Sequence, residues 1–287
     1  MVSRQQRTLK KEVTYSGIGI HSGKKVTMRF VPAKPHTGIV FQRIDRSGQP
    51  TVPAGIEYVQ DTSRSTMIGV GDCSIQTVEH VLAPLHAYQI DNLIIQVTDM
   101  EPPAGDGSSL PFVTMIEEGG ILEQSEKVSI LKLREPLHFS EGRTHIMALP
   151  SDEFRISYTL HYPNVPVIRC QYASFSISAE SFKKELAPCR TFALYEEIAY
   201  LMERGLIRGG SLENGVVIKE DVIISKEGLR FPDEMVRHKI LDLVGDLLLV
   251  GFPFQAHIVA ICSGHRTNVE LGRLLTESLS SKYEKVT

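Results

Sequence analysis

One apolar segment near the end of the chain carries three ionisable side chains at regular spacing. His238, Asp242 and Asp246 follow one another at intervals of four residues, so on a helix they lie along one face. Apolar residues surround this stripe from Met235 to Leu248, and a buried charge must be paired or bound to a metal. Two interpretations stay open. His238 and Asp242 are two ligands of one ion, or they form a salt bridge across one helical turn.

A third ligand would favour the metal, and the pair Glu79-His80 is the natural candidate. A catalytic zinc takes three protein ligands and leaves a position for water, from which a nearby carboxylate removes a proton. Adjacent helical residues diverge by about 100°, so His80 can bind the ion while Glu79 reaches the water. The alternative is an exposed acid beside a half-buried imidazole. The segment is not an H-E-x-x-H motif, because His86 follows His80 at a spacing of six.

Two further residues could stabilise developing charge. His265 follows Gly264 at the start of the last predicted helix, where an imidazolium could stabilise an oxyanion or protonate a leaving amine. Thr191 lies in a Cys-Arg-Thr-Phe segment and could supply a hydroxyl donor. Taken singly, these residues are also typical of an ordinary turn and an ordinary loop.

Composition limits the classes of protein to which the chain can belong. There are 31 Lys and Arg against 34 Asp and Glu, a net charge of −3, and 42% of the residues are hydrophobic. This balance predicts an ordinary globular protein and lacks the basic excess of a nucleic-acid-binding protein. No secretory signal and no transmembrane segment are expected, because the most apolar stretch, residues 247–254, is short and interrupted. We therefore expect a cytoplasmic protein.

The cysteines argue against a thiolate zinc site. No Cys-x-x-Cys pair is present, which excludes the usual zinc ribbon and makes a disulfide framework improbable in a chain of this size. The four cysteines are Cys73, Cys170, Cys189 and Cys262.

Similar elements must position these candidates in the two halves of the chain. In the first half, a helix is predicted over Thr77–Tyr88, bent at Pro84, followed by a buried strand over Ile90–Val97 and a short helix around Pro111–Glu118. In the second half, a long helix after Pro232 is followed by a strand, a glycine turn and a final helix. That strand spans Gln255–Cys262, and a capping box from Thr267 to Glu270 is predicted to begin the final helix.

This recurrence suggests an internal duplication, with a boundary near Glu123–Lys127. The alternative is that any α/β chain yields such an order by chance. If the halves are duplicated, their first helices occupy equivalent positions and could face each other, which would bring His80 to His238 and Asp242.

Taken together, eight segments closely resemble the zinc-dependent UDP-3-O-acyl-N-acetylglucosamine deacetylases of lipid A biosynthesis. They span nearly the whole chain in the order of that family. The segments are SGIGIHSGKKV (Ser16–Val26), TVEH (Thr77–His80), IDNLIIQV (Ile90–Val97), DGSSLPF (Asp106–Phe112), RTF (Arg190–Phe192), RGLIRGGSLENGVVI (Arg204–Ile218), VRHKILDLVGDL (Val236–Leu247) and SGHRTN (Ser263–Asn268).

The resemblance implies a role for each candidate. It implies zinc held by His80, His238 and Asp242, with Glu79 as the general base and His265 as the partner acid or electrostatic stabiliser. Thr191 matches the oxyanion donor, Lys239 a substrate-binding position, and Asp246 the residue that orients His265.

The resemblance also implies an α+β fold of two similar two-layer units, residues 1–125 and 126–287, with helices packed between the two sheets. A segment inserted in the second unit, at about residues 192–224, would form a passage for the acyl chain of the substrate. Its predicted apolar lining is Phe192, Ile198, Ile207, Leu212 and Val217. The alternative for these side chains is simple packing beneath a surface loop.

Two segments depart from the family pattern. Cys262 stands where many relatives have a lysine, and the segment His161–Ile168 differs from the usual F-N-H-P type of sequence. We therefore assign no nucleotide or phosphate contacts to these positions.

The expected reaction is hydrolysis of the N-acetyl amide of a UDP-linked acylated amino sugar, with zinc as cofactor. We expect a monomer that makes transient membrane-surface contact and binds no nucleic acid. Two alternatives are a zinc amidase or peptidase acting on another acylated substrate, and a non-catalytic binding module with a ribosomal-protein-like fold.

Overall fold

Alternating apolar residues build most of the strands in the computed structural model, which describes residues 2–283 and, for residues 280–283, only the backbone. The strands of the first half are β1 Val2–Leu9, β2 Val13–Ile18, β3 Lys25–Pro32, β4 Ile39–Arg43, β5 Thr51–Pro53, β6 Val59–Asp61, β7 Met67–Val70, β8 Cys73–Ile75 and β9 Leu93–Val97. Those of the second half are β10 Ile121–Lys132, β11 Leu137–Glu141, β12 Thr144–Leu149, β13 Phe154–Tyr162, β14 Arg169–Ser176, β15 Phe192–Leu194, β16 Val216–Lys219, β17 Val222–Ile224 and β18 Phe254–Ile261.

The helices carry the segments with helical spacing. They are α1 Glu79–Ala87, α2 Leu110–Gly119, α3 Ala179–Ser181, α4 Tyr195–Glu203, α5 Glu234–Leu248 and α6 His265–Tyr283. A 3-10 turn spans Ile56–Tyr58, and a π-helical turn, Phe182–Leu186, continues α3. Within residues 2–283, none of the helices combines the length and the apolarity needed to cross a bilayer.

Two sheets carry the same arrangement of five strands. The first has the order β2-β3-β9-β4-β5, and the second contains β11-β12-β18-β13-β14. The central strands β9 and β18 each run antiparallel to the second strand of a hairpin and parallel to the strand on their other side. This repeated order confirms the predicted fold of two similar α+β units.

Strands β1 and β10 extend the second sheet. They pair antiparallel, and β10 then meets β18 in parallel at Leu131 and Phe254. The first strand of the chain thus joins the sheet of the second half, and β10 runs across the predicted division at residues 125 and 126. The exact boundary between the units stays a prediction.

The helices form a layer between the two sheets. Helix α5 packs on β13 and β14, α6 packs on β11 and β12, and α2 packs on β2, while α1 lies against α2 and α5. Eight of the nine residues of α1 are buried, as expected for a helix covered on all sides. The predicted placement of the helices is confirmed.

A glycine lets the two central helices approach each other closely. A Cβ atom at Gly245 of α5 would lie 2.1 Å from the backbone oxygen of Glu79, the first residue of α1. Only a residue without a side chain allows this backbone contact. The contact places the predicted motifs of the two halves side by side.

The first helix begins two residues later than predicted. Thr77 has a φ angle of +56°, a left-handed conformation that is unfavourable for a β-branched residue and incompatible with a right-handed helix. Pro84 lies inside α1, as predicted, and cannot donate a hydrogen bond to the carbonyl of His80. The Ser109 hydroxyl donates to that carbonyl at 2.7 Å, so the acceptor freed by Pro84 is satisfied from outside the helix.

The prediction for the start of the last helix was wrong. Helix α6 begins at His265, so Thr267 lies within its first turn and does not precede it. The Thr267 hydroxyl accepts a hydrogen bond from the backbone N–H of Gly264 at 3.0 Å. Thr267 therefore stabilises the turn before α6 and is not the N-cap residue of the predicted capping box.

The inserted segment contains more regular structure than its sequence indicated. Strands β15, β16 and β17 form a small sheet from Phe192 to Ile224, and helix α4 lies between β15 and β16 in the chain. Alternation is too short in these strands to be recognised from the sequence.

Candidate active site

Two histidines and one aspartate converge at the contact between α1 and α5. The Nε2 atoms of His80 and His238 lie 3.4 and 3.3 Å from the same oxygen, Oδ1 of Asp242. The two imidazole rings are nearly perpendicular, with centroids 5.0 Å apart, and one ligand atom of each residue lies within 4.8 Å of the others. The structure thus brings the three predicted ligands together, and we call them the ligand cluster.

The backbone fixes which nitrogen His238 presents. Its Nδ1 lies 3.0 Å from the carbonyl oxygen of Cys189, and because a carbonyl only accepts, Nδ1 carries the proton. Burial lowers the pKa of His238 to about 4, so the ring is neutral at physiological pH. A neutral imidazole with Nδ1–H donated to a carbonyl directs its Nε2 lone pair towards the cluster, which is the form that binds metals.

Asp242 is only half satisfied. Its Oδ2 accepts a hydrogen bond from Nζ of Lys239 at 2.7 Å, whereas Oδ1 is buried without a hydrogen-bond partner among the described residues. Burial opposes the charge of Asp242, but His238 and Lys239 hold its pKa well below the usual range. The carboxylate is therefore ionised, with one buried oxygen directed at the two imidazoles.

The cluster favours a positive charge at its centre. Burial opposes protonation of His80, yet the neighbouring Asp242 carboxylate raises the pKa of this imidazole above its ordinary value. Two imidazole nitrogens and one carboxylate oxygen are a ligand set of catalytic zinc, which keeps a further position open. The unpaired Oδ1 and the converging Nε2 atoms fit such an ion.

A second cluster lies one helical turn away. Nδ1 of His265 is 3.0 Å from Oδ2 of Asp246, and its Nε2 is 3.9 Å from Oε1 of Glu79. Burial opposes the imidazolium, but Asp246 and Glu79 together raise the pKa of His265 to about 9. This ring is therefore charged at physiological pH and held by Asp246. We call these three residues the acid–base cluster.

Glu79 is the member of the acid–base cluster that lies next to the ligand cluster in the chain. It is buried at the start of α1, next to His80 in the chain, and burial raises the pKa of its carboxyl group. A raised pKa makes a carboxylate a better proton acceptor near neutral pH. Its Oε1 faces His265 and carries no hydrogen bond from Thr66, which is bound to Oε2.

Lys239 contacts the ligand cluster through Asp242, and Thr191 lies in the segment whose Cys189 carbonyl holds His238. Thr191 lies two residues after Cys189, whose carbonyl accepts the hydrogen bond from His238. The backbone N–H of Thr191 donates to the carbonyl of Gly107 at 2.9 Å. Between them, Arg190 forms a buried ion pair with Glu234, with Nε 2.9 Å from Oε1. This pair anchors the segment to the start of α5.

The five predicted passage residues are spread over the inserted segment. Phe192 in β15 packs edge-on against Tyr162 at 6.3 Å, and Nζ of Lys239 lies 5.9 Å from the centre of the Phe192 ring. Val217 follows in β16 and Ile198 lies on α4, whereas Ile207 and Leu212 belong to the connection between them. Of these five, only Phe192 has a described contact with Lys239, which in turn bonds Asp242, so the passage stays a prediction.

Several residues of the site were not predicted from the sequence. Asn268 donates its amide to Oδ2 of Asp246 at 2.8 Å. The buried carboxylate of Glu101 accepts hydrogen bonds from the backbone N–H groups of His21 and Ser22 and from the Thr77 hydroxyl. Asn268 and His21 lie in matched segments, which is the signal that could have found them. Glu101 lies in a turn-rich stretch with no chemical pattern.

Comparison with known proteins adds a family to this geometry. A family model described as UDP-3-O-acyl N-acetylglycosamine deacetylase matches residues 6–277. The curated UDP-3-O-acyl-N-acetylglucosamine deacetylases of Chlamydia caviae and Chlamydia felis are 55% and 56% identical over 279 residues, which cover 97% of this chain and 99% of each relative. That of Chlamydia trachomatis serovar D is 49% identical over 286 residues, with 100% of both chains covered.

Proposed function

Since the chain belongs to the family of UDP-3-O-acyl N-acetylglycosamine deacetylases, we propose that it removes the N-acetyl group from UDP-3-O-(3-hydroxyacyl)-N-acetylglucosamine. The products are UDP-3-O-acyl-glucosamine and acetate, in the committed step of lipid A biosynthesis. The observation that carries the proposal is the half-satisfied Asp242 between two imidazole Nε2 atoms, directly beside a buried carboxylate and a charged histidine.

The family is zinc-dependent, and the ligands we propose are His80, His238 and Asp242. When bound, zinc polarises the amide carbonyl and lowers the pKa of a water molecule. The neutral His238 and the ionised Asp242 are already in their ligating forms.

The other residues move protons and stabilise charge. Glu79 takes a proton from the attacking water as the new carbon–oxygen bond forms. The protonated His265 and the Thr191 hydroxyl stabilise the oxyanion. When the carbon–nitrogen bond breaks, the amine leaves with a proton from Glu79 or His265. Asp246 orients His265 and stabilises its charged form.

Lys239 and the inserted segment are proposed to bind the substrate. The ammonium group of Lys239 lies between Asp242 and the ring of Phe192, at the border of the ligand cluster and the inserted segment. The acyl chain is then received by Phe192, Ile198, Ile207, Leu212 and Val217. Because each unit supplies zinc ligands, neither unit is active alone.

We further propose a monomer that works in the cytoplasm and touches the membrane surface transiently. All four cysteines are free thiols, as is usual in a reducing compartment, and both clusters are built from one chain. The inserted segment exposes apolar side chains, with Tyr195, Met202 and Leu212 at 49%, 61% and 42% of their full area. This exposure supports contact of the inserted segment with a lipid surface.

The test is acetate release from the UDP-linked substrate, before and after chelation. We expect chelation to abolish hydrolysis and stoichiometric zinc to restore it. Acyl peptides serve as competing substrates, and their hydrolysis in place of the UDP-sugar would favour a different zinc amidase. A purified protein without bound zinc, whose properties do not respond to a chelator, would favour the non-catalytic binding module.

A further inference from the structure

Thr66 contacts both carboxylates of the acid–base cluster at once. It lies immediately before β7 and is fully buried. Its hydroxyl donates to Oδ1 of Asp246 at 2.6 Å, and its backbone N–H donates to Oε2 of Glu79 at 3.0 Å. One residue of the first unit is thus bonded to carboxylates on α1 and on α5.

The two carboxylates use their other oxygens for His265. Oδ2 of Asp246 faces Nδ1 of this imidazole at 3.0 Å, and Oε1 of Glu79 faces Nε2 at 3.9 Å. Thr66 therefore lies behind both carboxylates, on the side away from the ring. We propose that Thr66 is a positioning residue that sets the orientation of Glu79 and Asp246 relative to His265.

Each hydrogen bond from Thr66 restricts the rotation of one carboxylate about its terminal carbon–carbon bond. A charge-assisted hydrogen bond to one oxygen fixes the plane of a carboxylate and therefore the direction in which its other oxygen points. The bond to Oε2 leaves Oε1 of Glu79 as the oxygen that takes the proton. The bond to Oδ1 leaves Oδ2 of Asp246 for His265 and Asn268.

The loop that carries Thr66 is itself tied to α1. The backbone N–H of Val78, the residue before that helix, donates to the carbonyl of Thr66 at 3.3 Å. The side chain, the N–H and the carbonyl of Thr66 are consequently all bonded to parts of the site. A residue that only filled space would need none of these three contacts.

This inference rests on the proposed function, which gives Glu79 and His265 their roles. Three variants test it: Thr66→Val, Thr66→Ser and Thr8→Val. Thr66→Val keeps the shape and the backbone N–H but removes the hydroxyl, and Thr66→Ser keeps the hydroxyl. Thr8 is the matched control, because it is also buried and its hydroxyl accepts one hydrogen bond, from Ala33 N–H at 3.1 Å, outside the site.

We expect kcat of Thr66→Val to fall about 10- to 100-fold, as is typical when a group behind a reacting side chain is removed. KM and zinc content should not change. Thr66→Ser should recover most of kcat, and Thr8→Val should keep it. Wild-type kcat in Thr66→Val, no recovery in Thr66→Ser, or an equal loss in Thr8→Val would overturn the proposal. If Thr66→Val does not fold, Thr66→Ala takes its place with the same expectations.

A crystal structure of the Thr66 variant separates this inference from the proposed function. We expect Asp246 and the His265 ring to rotate away from the positions they hold in the wild-type protein. A wild-type enzyme inactive on the UDP-sugar would overturn the proposed function alone. Unchanged positions of Glu79, Asp246 and His265 in the variant would overturn the role of Thr66, whatever the substrate.

Discussion

The ligand cluster and the acid–base cluster share helices α1 and α5, but their carboxylates are satisfied differently. Asp242 and Asp246 are one turn apart on α5 and almost equally buried, at 3% and 0% exposure. Both oxygens of Asp246 accept hydrogen bonds, from Thr66 on one side and from His265 and Asn268 on the other. Oδ1 of Asp242 accepts none within the described part of the chain.

The difference shows which cluster needs a further group. An unsatisfied buried acceptor costs about 1–3 kcal/mol, and more when it is charged, so the ligand cluster is unfavourable until a cation joins it. In the acid–base cluster both oxygens of Asp246 have hydrogen-bond partners, and these bonds fix a charged imidazole next to a carboxylate. The ligand cluster is therefore suited to binding a cation, and the acid–base cluster is suited to transferring protons.

The largest effect should come from removing a ligand. In His238→Ala, one of the two imidazoles directed at Asp242 is lost, and the zinc content should fall with it. Activity should drop by at least about a thousandfold, because several kcal/mol of charge stabilisation disappear. Metal analysis and acetate release measure both effects. His257→Ala, which changes a histidine bonded to Ser157 on the second sheet, is the control and should keep zinc and activity.

Retention of zinc in His238→Ala would contradict the assignment of this cluster. The stripe of His238 and Asp242 would then be a structural salt bridge, and the comparison between the two clusters would lose its basis.

Changing the acid–base cluster should reduce activity without removing the metal. In Glu79→Gln, the side chain keeps its shape but can no longer accept the proton of the attacking water. Loss of general base catalysis costs about 10²- to 10⁴-fold in kcat, whereas zinc binding should persist. The two measurements together distinguish the clusters. Near-normal turnover would refute the general base, and loss of zinc would mean that the clusters are not separate.

The sequence identified the side chains of both clusters because each lies on an element with its own pattern. His238, Asp242 and Asp246 stood out as a polar stripe on an apolar helix, and the repeated order of elements predicted that α1 faces α5. The expected class of reaction followed from the matched segments.

The remaining contacts of the site were not predictable, because they are made by backbone groups or by residues without a distinctive environment in the sequence. The carbonyl of Cys189 orients His238, and any residue type has a carbonyl. Thr66 lies in a loop whose conformation is set by tertiary contacts. The left-handed φ of Thr77, which delays the start of α1, is likewise imposed by the fold and contradicts the local preference of a β-branched residue.

A smaller effect is expected where the two helices touch. In Gly245→Ala, the new Cβ would lie 2.1 Å from the carbonyl oxygen of Glu79, so the helices must separate. Overpacking of this kind costs about 1–3 kcal/mol of stability, and it moves Glu79 away from Asp246. We expect a lower midpoint of thermal unfolding together with a lower kcat.

Gly272→Ala is the matched control, because Gly272 is also a buried helical glycine. A Cβ atom added there would lie 2.9 Å from Cδ1 of Ile56, its nearest neighbour. The end of a flexible side chain can move aside, so kcat should stay at the wild-type level. An equal loss of kcat in both variants would show that the effect is general crowding and not the spacing of α1 and α5.

The smallest effect should come from the ion pair that links the loop of Thr66 to the inserted segment. Arg64 lies two residues before Thr66, and its two terminal guanidinium nitrogens donate to the carboxylate of Glu197 on α4 at 3.0 and 3.2 Å. The side chains are 45% and 36% exposed, and such surface pairs contribute about 0–1 kcal/mol. Arg64→Gln should therefore leave zinc content and kcat unchanged and alter KM by less than about fivefold, since 1.4 kcal/mol is a factor of ten.

This small effect should also disappear in salt. At about 1 M ionic strength the screening length is near 3 Å, so the KM values of the wild type and Arg64→Gln should converge as salt is added. A large loss of kcat in Arg64→Gln would instead mean that the loop transmits a displacement of α4 to Thr66, and through it to Glu79 and Asp246. The acid–base cluster would then depend on the inserted segment, and the orientation of its carboxylates would be set by the loop that carries Thr66 and not by the helices alone.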